Sequence, residues 1–196
     1  MILRLFLAVA AVEIIAVAAD WTAVQWMTKP LLGPLLILHM LTRGRRDLVT
    51  VALGFATAGD IALLVPGQVA FLIGMGFFLV AQICFILAFR PLLAKYAAPY
   101  GLLWMLANLL LWSRLGALAV PVLIYSLALT MMAAAAAGVS RRVAAGGLLF
   151  LVSDLLIGLG AAGLRPPAHG VLVMTTYAAA LYLITTGWVR SKGRPA

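Results

Sequence analysis

Charge is scarce in this chain. Only 10% of its 196 residues are Asp, Glu, Lys or Arg, against 66% hydrophobic, and mean hydropathy is +1.17. Soluble domains carry roughly 25% charged residues, so a water-soluble globule is excluded. Disorder is excluded too, because its signature is low hydrophobicity. A single cysteine, Cys84, permits no intrachain disulfide and no paired-thiolate zinc site. There are two histidines, His39 and His169. They fall near opposite faces of the predicted bundle, where interfacial packing suits them better than a shared metal. No Gly-x-Ser-x-Gly, His-Glu-x-x-His or Walker sequence occurs. Acid is the scarcest charge, five residues against 14 bases, giving net +9 and a pI near 10.7. The bases are spread through short loops rather than gathered on one soluble surface, which argues against a nucleic-acid partner.

What the chain has instead is long apolar runs. Crossing about 30 Å of hydrocarbon takes about 20 apolar residues of helix. Basic residues and Pro/Gly breaks mark eight stretches, approximately 4–24, 28–42, 48–65, 68–89, 97–112, 115–138, 143–163 and 169–189. They predict an all-α, polytopic transmembrane helical bundle forming a single integral membrane domain over 1–196. Thr28-Lys29-Pro30 reads as a helix start, since Pro at the first helical position loses no hydrogen bond. Trp21, Trp26 and Trp112 fall at proposed span ends, where amphipathic rings favour the interface. A cleaved signal peptide is the alternative for the first stretch, although Glu13 interrupts its apolar run.

Arg4, Arg43, Arg45, Arg46, Arg90, Lys95, Arg141, Arg142, Arg190, Lys192 and Arg194 then share one side, and Lys29, Arg114 and Arg165 the other. The positive-inside rule makes the first side, with both termini, cytoplasmic. The expected location is a bacterial inner membrane, crossed several times.

Function is expected in the acids. Asp47 sits beside Arg45 and Arg46, as for a solvated salt bridge. Glu13, Asp20, Asp60 and Asp154 lie within or at the ends of apolar stretches. A charge at bilayer depth costs at least about 2.5–3.5 kcal/mol, so each needs a partner, a proton or water. Asp60 lies 14 residues beyond Arg46, about 21 Å of helix rise, and Asp154 12 beyond Arg142, about 18 Å. Asp20 and Tyr125 reckon to about 24 Å and Tyr177 to about 20 Å, with Ser153 beside Asp154 and Asn108 and Lys29 close to the same layer. This describes a polar chamber in the outer half of the membrane. The plain alternative for a lone aspartate is a helix–helix hydrogen bond, worth about 0.6 kcal/mol on average.

Two carboxyls sharing a site hold a proton between them, which supplies one acid and one base. That is what hydrolysis by proton donation and water activation requires. Tyr125 or Tyr177 would orient water or substrate, and Lys29 would be counter-charge to an aspartate or a lipid phosphate. Asp60 and Asp154 each follow a basic pair at similar distance, in the third and seventh stretches. The echo predicts two parallel four-helix halves that bring the aspartates face to face. The glycine pairs Gly74/Gly76 and Gly158/Gly160 and the Ala133–Ala137 run read as close helix contacts. A proton-coupled transporter or lipid-moving protein using the same carboxyls is the competing class.

Several motifs in order carry a family resemblance: Lys29-Pro30-Leu31-Leu32; Ala58-Gly59-Asp60 with Leu63; Gly67-Gln68-x-x-Phe71-x-x-Gly74-x-x-Phe77-Phe78; Tyr125 and Met131; Phe150-Leu151-Val152-Ser153-Asp154; and Thr176-Tyr177. On these the chain resembles the YhhN family of eight-span membrane proteins, whose characterised members are lysoplasmalogenases. The resemblance implies hydrolysis of the vinyl-ether bond of a lysophospholipid drawn from the bilayer, with Asp60 and Asp154 as the acidic pair and no metal or other cofactor. Substrate contacts are expected from Lys29, Tyr125, Ser153, Tyr177, Gln82, Asp20 and Asn108. Two departures stand out: the family usually has His where this chain has Gln82, and Gln near Leu181. Gln82 can hydrogen-bond but not titrate, and Leu181 can do neither.

Overall fold

A computed structural model describes residues 1–89 and 94–191. Arg90, Lys192 and Arg194, and the side chain of Lys95, lie outside the described residues, so the predicted charge asymmetry is only partly represented. The described residues are all-helical: α1 (Ile2–Ala18), α2 (Thr22–Thr42), α3 (Leu48–Leu64), α4 (Gln68–Phe89), α5 (Ala94–Leu115), α6 (Ala119–Ala137), α7 (Arg141–Ala161) and α8 (His169–Ser191). A single 3-10 turn, Gly116–Leu118, joins α5 to α6. Four segments are long and apolar enough to cross a membrane: Gln68–Phe89, Ala98–Ala137, Arg141–Ala161 and His169–Ser191. The second of them runs through both α5 and α6. Helices α1 and α3, with 17 residues each, fall at the lower limit for a span. Large apolar side chains stand exposed on the outer faces, among them Val69 (72%), Leu109 (68%) and Leu110 (74%). Water would not tolerate so continuous an apolar surface, whereas lipid does. The chain is a multi-pass membrane protein.

The boundary between the first two helices differs from expectation. The first helix stops at Ala18, and Asp20 takes a positive φ of 54° in the turn that follows. The second begins at Thr22, so Pro30 and Pro34 lie inside it rather than at its start. Internal prolines are tolerated where neighbouring helices and hydroxyls take up the freed backbone groups. Ahead of Pro30, Thr28 Oγ1 donates to Val24 O at 2.8 Å within α2, and Gln25 Nε2 donates to Ala16 O of α1 at 3.2 Å. The first helix belongs to the bundle core, burying Phe6, Ala10, Glu13 and Ala16 against its neighbours α2 and α8.

Packing follows a ring. Helices α1, α2, α3 and α4 pack in sequence; α4 passes to α6, then α6, α7 and α8 pack in sequence, and α8 closes on α1 and α2. Among the described residues α5 packs extensively only on α6 and the 3-10 turn, outside that ring. Small residues set the closest approaches. A Cβ at Gly147 would lie 2.6 Å from Ala136 Cβ, and one at Gly146 would lie 2.8 Å from Ile184 N. The Ala133–Ala136 run is buried at this contact, as its composition predicts. Of the two glycine pairs only one member of each is used: Gly74 faces Gly59 and Leu63, and Gly160 faces His169, while Gly76 and Gly158 meet open space.

Asp47 is the clearest correction. Instead of a solvated salt bridge with Arg45 and Arg46, it caps α3 by accepting from Val49 N at 3.1 Å. It also accepts from Trp188 Nε1 at 2.8 Å, tying the start of α3 to the end of α8. An N-cap leaves amides to satisfy, and a short carboxylate does so better than an exposed arginine satisfies the carboxylate. Asp47→Ala should therefore cost about 1–2 kcal/mol. The change is read as a lowered unfolding midpoint in detergent, with Asp47→Asn recovering most of it. An unchanged midpoint would show that neither bond holds the two helices.

Candidate functional site

Two carboxylates of the bundle are each held by a phenol from another helix. Asp60 of α3, 2% exposed, accepts from Tyr177 OH of α8 at 2.7 Å. Asp154 of α7 accepts from Tyr125 OH of α6. The aspartates lie within electrostatic reach of each other, and Tyr177 is within reach of both carboxylates and of Tyr125. Lys29 Nζ of α2 stands 4.0 Å from Asp60 Oδ1, with its side chain only 15% exposed. A buried charge needs such a counter-charge, because desolvation otherwise costs several kcal/mol or more.

Local sequence explains how Asp60 reaches this place. Gly59 lets α3 approach α4 so closely that a Cβ there would sit 2.7 Å from the Phe78 ring. That ring packs edge-on against Phe150 at 6.2 Å and Tyr177 at 5.9 Å, and Phe150 against Tyr177 at 5.6 Å. Two aromatics from two other helices, Phe78 and Phe150, thereby fix the phenol that holds Asp60. Edge-to-face geometry of this kind is worth about 0.5–1.5 kcal/mol per pair beyond area burial.

Two cavities lie beside the cluster: Asp154 and Tyr125 line the first and Lys29 the second, while Asp60 and Tyr177 line neither. One is a narrow apolar slot of about 90 Å³ between α4, α5, α6 and α7, lined by Met75, Trp104, Asn108, Tyr125 and Asp154 among others. The other is a wider vestibule of about 830 Å³ at the end of the bundle where α2 and α8 begin and α3 and α7 finish. Its walls include Gln25, Lys29, Gln68, Arg165 and His169. Leu63, Phe71 and Ile157 line both, so the two spaces adjoin.

The remaining predicted residues are distributed unevenly. Asn108 lines the slot, donating to Trp104 O at 2.8 Å and Ser126 Oγ at 3.1 Å. Gln82 is fully buried and borders Tyr125, yet neither amide atom completes a hydrogen bond. Ser153 is fully buried but donates to Val173 O at 3.1 Å, so it fastens α7 to α8 and lines neither cavity. Asp20 is exposed in its turn and also lines neither, because the helix that would have carried it inward ends at Ala18.

Glu13 goes the other way. It is fully buried, accepts from Thr28 Oγ1 at 2.5 Å, and lies within electrostatic reach of Lys29 and Asp60. Its depth inside the first apolar run was the signal that it could belong here. Trp104 is a further slot residue that sequence reasoning passed over, having no charge to mark it. His169, expected to be interfacial packing, is a vestibule residue. Among the described residues no group of three His, Cys, Asp or Glu gathers as metal ligands.

The pattern of the YhhN family matches residues 24–188. Two curated relatives, each named lysoplasmalogenase, come from Mycobacterium bovis and Mycobacterium tuberculosis. Each is 38% identical to the chain over 175 residues, an alignment covering 81% of it. The chain spans 66% of the length of these relatives. No solved structure matches it.

The Tyr177–Asp60 bond carries a stability consequence. Tyr177→Phe removes the donor and leaves a buried carboxylate oxygen unsatisfied, at a cost of about 1–3 kcal/mol. Reversible denaturation in detergent measures it against Thr176→Val, whose hydroxyl bonds only within α8. Equal stabilities of the two variants would mean the phenol does not hold Asp60.

Proposed function

The chain belongs to the YhhN family, and from that premise we propose that it is a membrane-embedded hydrolase cleaving the vinyl-ether bond of a lysoplasmalogen. The products are a fatty aldehyde and a glycerophospho-alcohol. The observation that carries this reading is the pair of phenol-held aspartates, one of which, Asp154, walls an apolar slot that adjoins a polar vestibule. The slot is well below the roughly 300–1,000 Å³ of small-ligand sites, so it suits the proximal part of an alkenyl chain. The glycerol end faces the vestibule, and the vinyl ether then lies between the aspartates.

Roles follow from surroundings. Lys29 gives Asp60 a counter-charge, which makes Asp60 the carboxylate of the pair and the base. Asp154 opens on the apolar slot without a cation beside it and is the acid. Its proton goes to the vinyl carbon farther from oxygen, and the positive charge that develops on the adjacent carbon and oxygen is stabilised by Asp60. Water then adds to that carbon and yields a proton to Asp60. In the hemiacetal so formed, Asp154 takes the hydroxyl proton while Asp60 returns its proton to the glycerol oxygen. The carbon–oxygen bond breaks, aldehyde and alcohol leave, and both residues are restored. Tyr125 and Tyr177 hold the carboxyl groups in line throughout.

The same reading sets all eight helices across the membrane, both termini in the cytoplasm, in a bacterial inner membrane. Two parallel four-helix halves are supported by repeated packing: α1–α2–α3–α4 parallels α5–α6–α7–α8, and α4 on α6 parallels α8 on α2. Asp60 and Asp154 fall on corresponding helices of those halves.

Asp60→Asn and Asp154→Asn should each lower turnover at least about 100-fold, with the protein still folded by size-exclusion and unfolding midpoint. Aldehyde release from 1-alkenyl-glycerophosphoethanolamine is the assay. Near-normal turnover in both variants would reject the mechanism. Lipid or proton flux in proteoliposomes without aldehyde would replace the hydrolase by a transporter.

A further inference from the structure

We propose that the vestibule is a phosphate-ester site, built by Arg165 and His169 with Lys29, that grips the head-group phosphate of a single-chain lipid. The proposal rests on the hydrolase reading for its ligand, but the site stands on its own observations. Its volume of about 830 Å³ falls in the usual range for small-ligand sites. Its described lining carries three basic side chains, Lys29, Arg165 and His169, and no carboxylate. Such one-signed linings focus potential and concentrate the opposite charge.

Of the three, Lys29 answers Asp60. Arg165 and His169 have no ion pair of their own among the described residues, and they act on one another electrostatically. Arg165, a guanidinium with no acid beside it, leaves an anion as the missing partner. His169 is fixed in position: the absent side chain of Gly160 leaves its ring a seat, where a Cβ would sit 2.8 Å from Nε2. Its Nδ1 is enclosed without a hydrogen-bond partner. His169 also opens α8, whose amino end favours negative charge. Gln25 and Gln68 add neutral amides suited to the polar remainder of a head group.

Position turns an anion site into a lipid site. Leu63, Phe71 and Ile157 are walls of both the vestibule and the apolar slot. A molecule with phosphate at Arg165 and hydrocarbon in the slot brings its glycerol-linked bond past Asp154. The phosphate contact sets register along the site, as bidentate arginine does for planar anions.

Kinetics and equilibrium binding together test this. In nanodiscs, Arg165→Gln should raise KM for 1-alkenyl-glycerophosphoethanolamine about tenfold or more. Its kcat should stay near wild type, and Arg165→Lys should recover part of the loss. The phosphate-free 1-alkenylglycerol should show no such dependence. Binding is followed with 1-alkyl-glycerophosphoethanolamine, a saturated ether with no vinyl bond to cleave, so that no turnover is needed. Loss of that binding in Arg165→Gln and in His169→Gln supports the site, and inorganic phosphate competing in wild type alone supports it further. Unchanged KM and binding in both variants overturns it, as does equal loss for the phosphate-free lipid. Wild-type protein that binds the saturated ether through Arg165 but releases no aldehyde from 1-alkenyl-glycerophosphoethanolamine would sink the hydrolase reading and leave this site standing.

Discussion

Burial of carboxylates away from water is the constraint around which this bundle is organised. An unpaired charge in an apolar interior is untenable, and every acid that enters here is met by a named donor. Asp60 has Tyr177 and Lys29, Asp154 has Tyr125, and Glu13 has Thr28. These partners come from α2, α6 and α8, so satisfying the acids also dictates which helices must be neighbours. Polar contacts of this sort within membranes are individually modest. Their effect on arrangement is larger than their effect on stability, because a helix that misplaced its donor would leave a carboxylate stranded.

The aromatic column and the glycines fix that arrangement, as the proposed proton transfers would require. Gly59 brings α3 onto Phe78, Phe78 braces Tyr177, and Tyr177 holds the residue next to Gly59. The loop closes on itself. Positioning to within a few tenths of an ångström matters when the work is proton transfer, since a donor slightly out of reach contributes little.

Much of this was visible in the sequence, and the limits have physical reasons. Helices α3, α4 and α8 begin where the charge and turn signals place them, and the depth reckoning put Asp60, Asp154, Tyr125 and Tyr177 in one layer. Helix rise fixes depth but says nothing about rotation. Ser153 therefore shared the right level yet turned toward α8, and the tyrosines could not be assigned to their aspartates. The same reckoning failed for Asp20, because it assumed unbroken helix through a turn that a positive φ now occupies. Pro30 misled for a different reason: rules learnt from soluble helix starts ignore how readily a membrane bundle absorbs an internal proline. Asp47 was read by its arginine neighbours, while its true partner, Trp188, lies far along the chain. Vestibule residues such as Arg165 and His169 were hidden because a loop and a helix start become one surface only after folding.

The outlying position of α5 has a consequence for the slot. It forms one wall of the slot through Leu103, Trp104, Ala107, Asn108 and Leu111, yet every partner of the three buried acids sits on the ring. The wall that α5 contributes is thus separate from the helices that hold the acids. Substitutions on that wall would reshape the slot and leave the bonds of the acids in place.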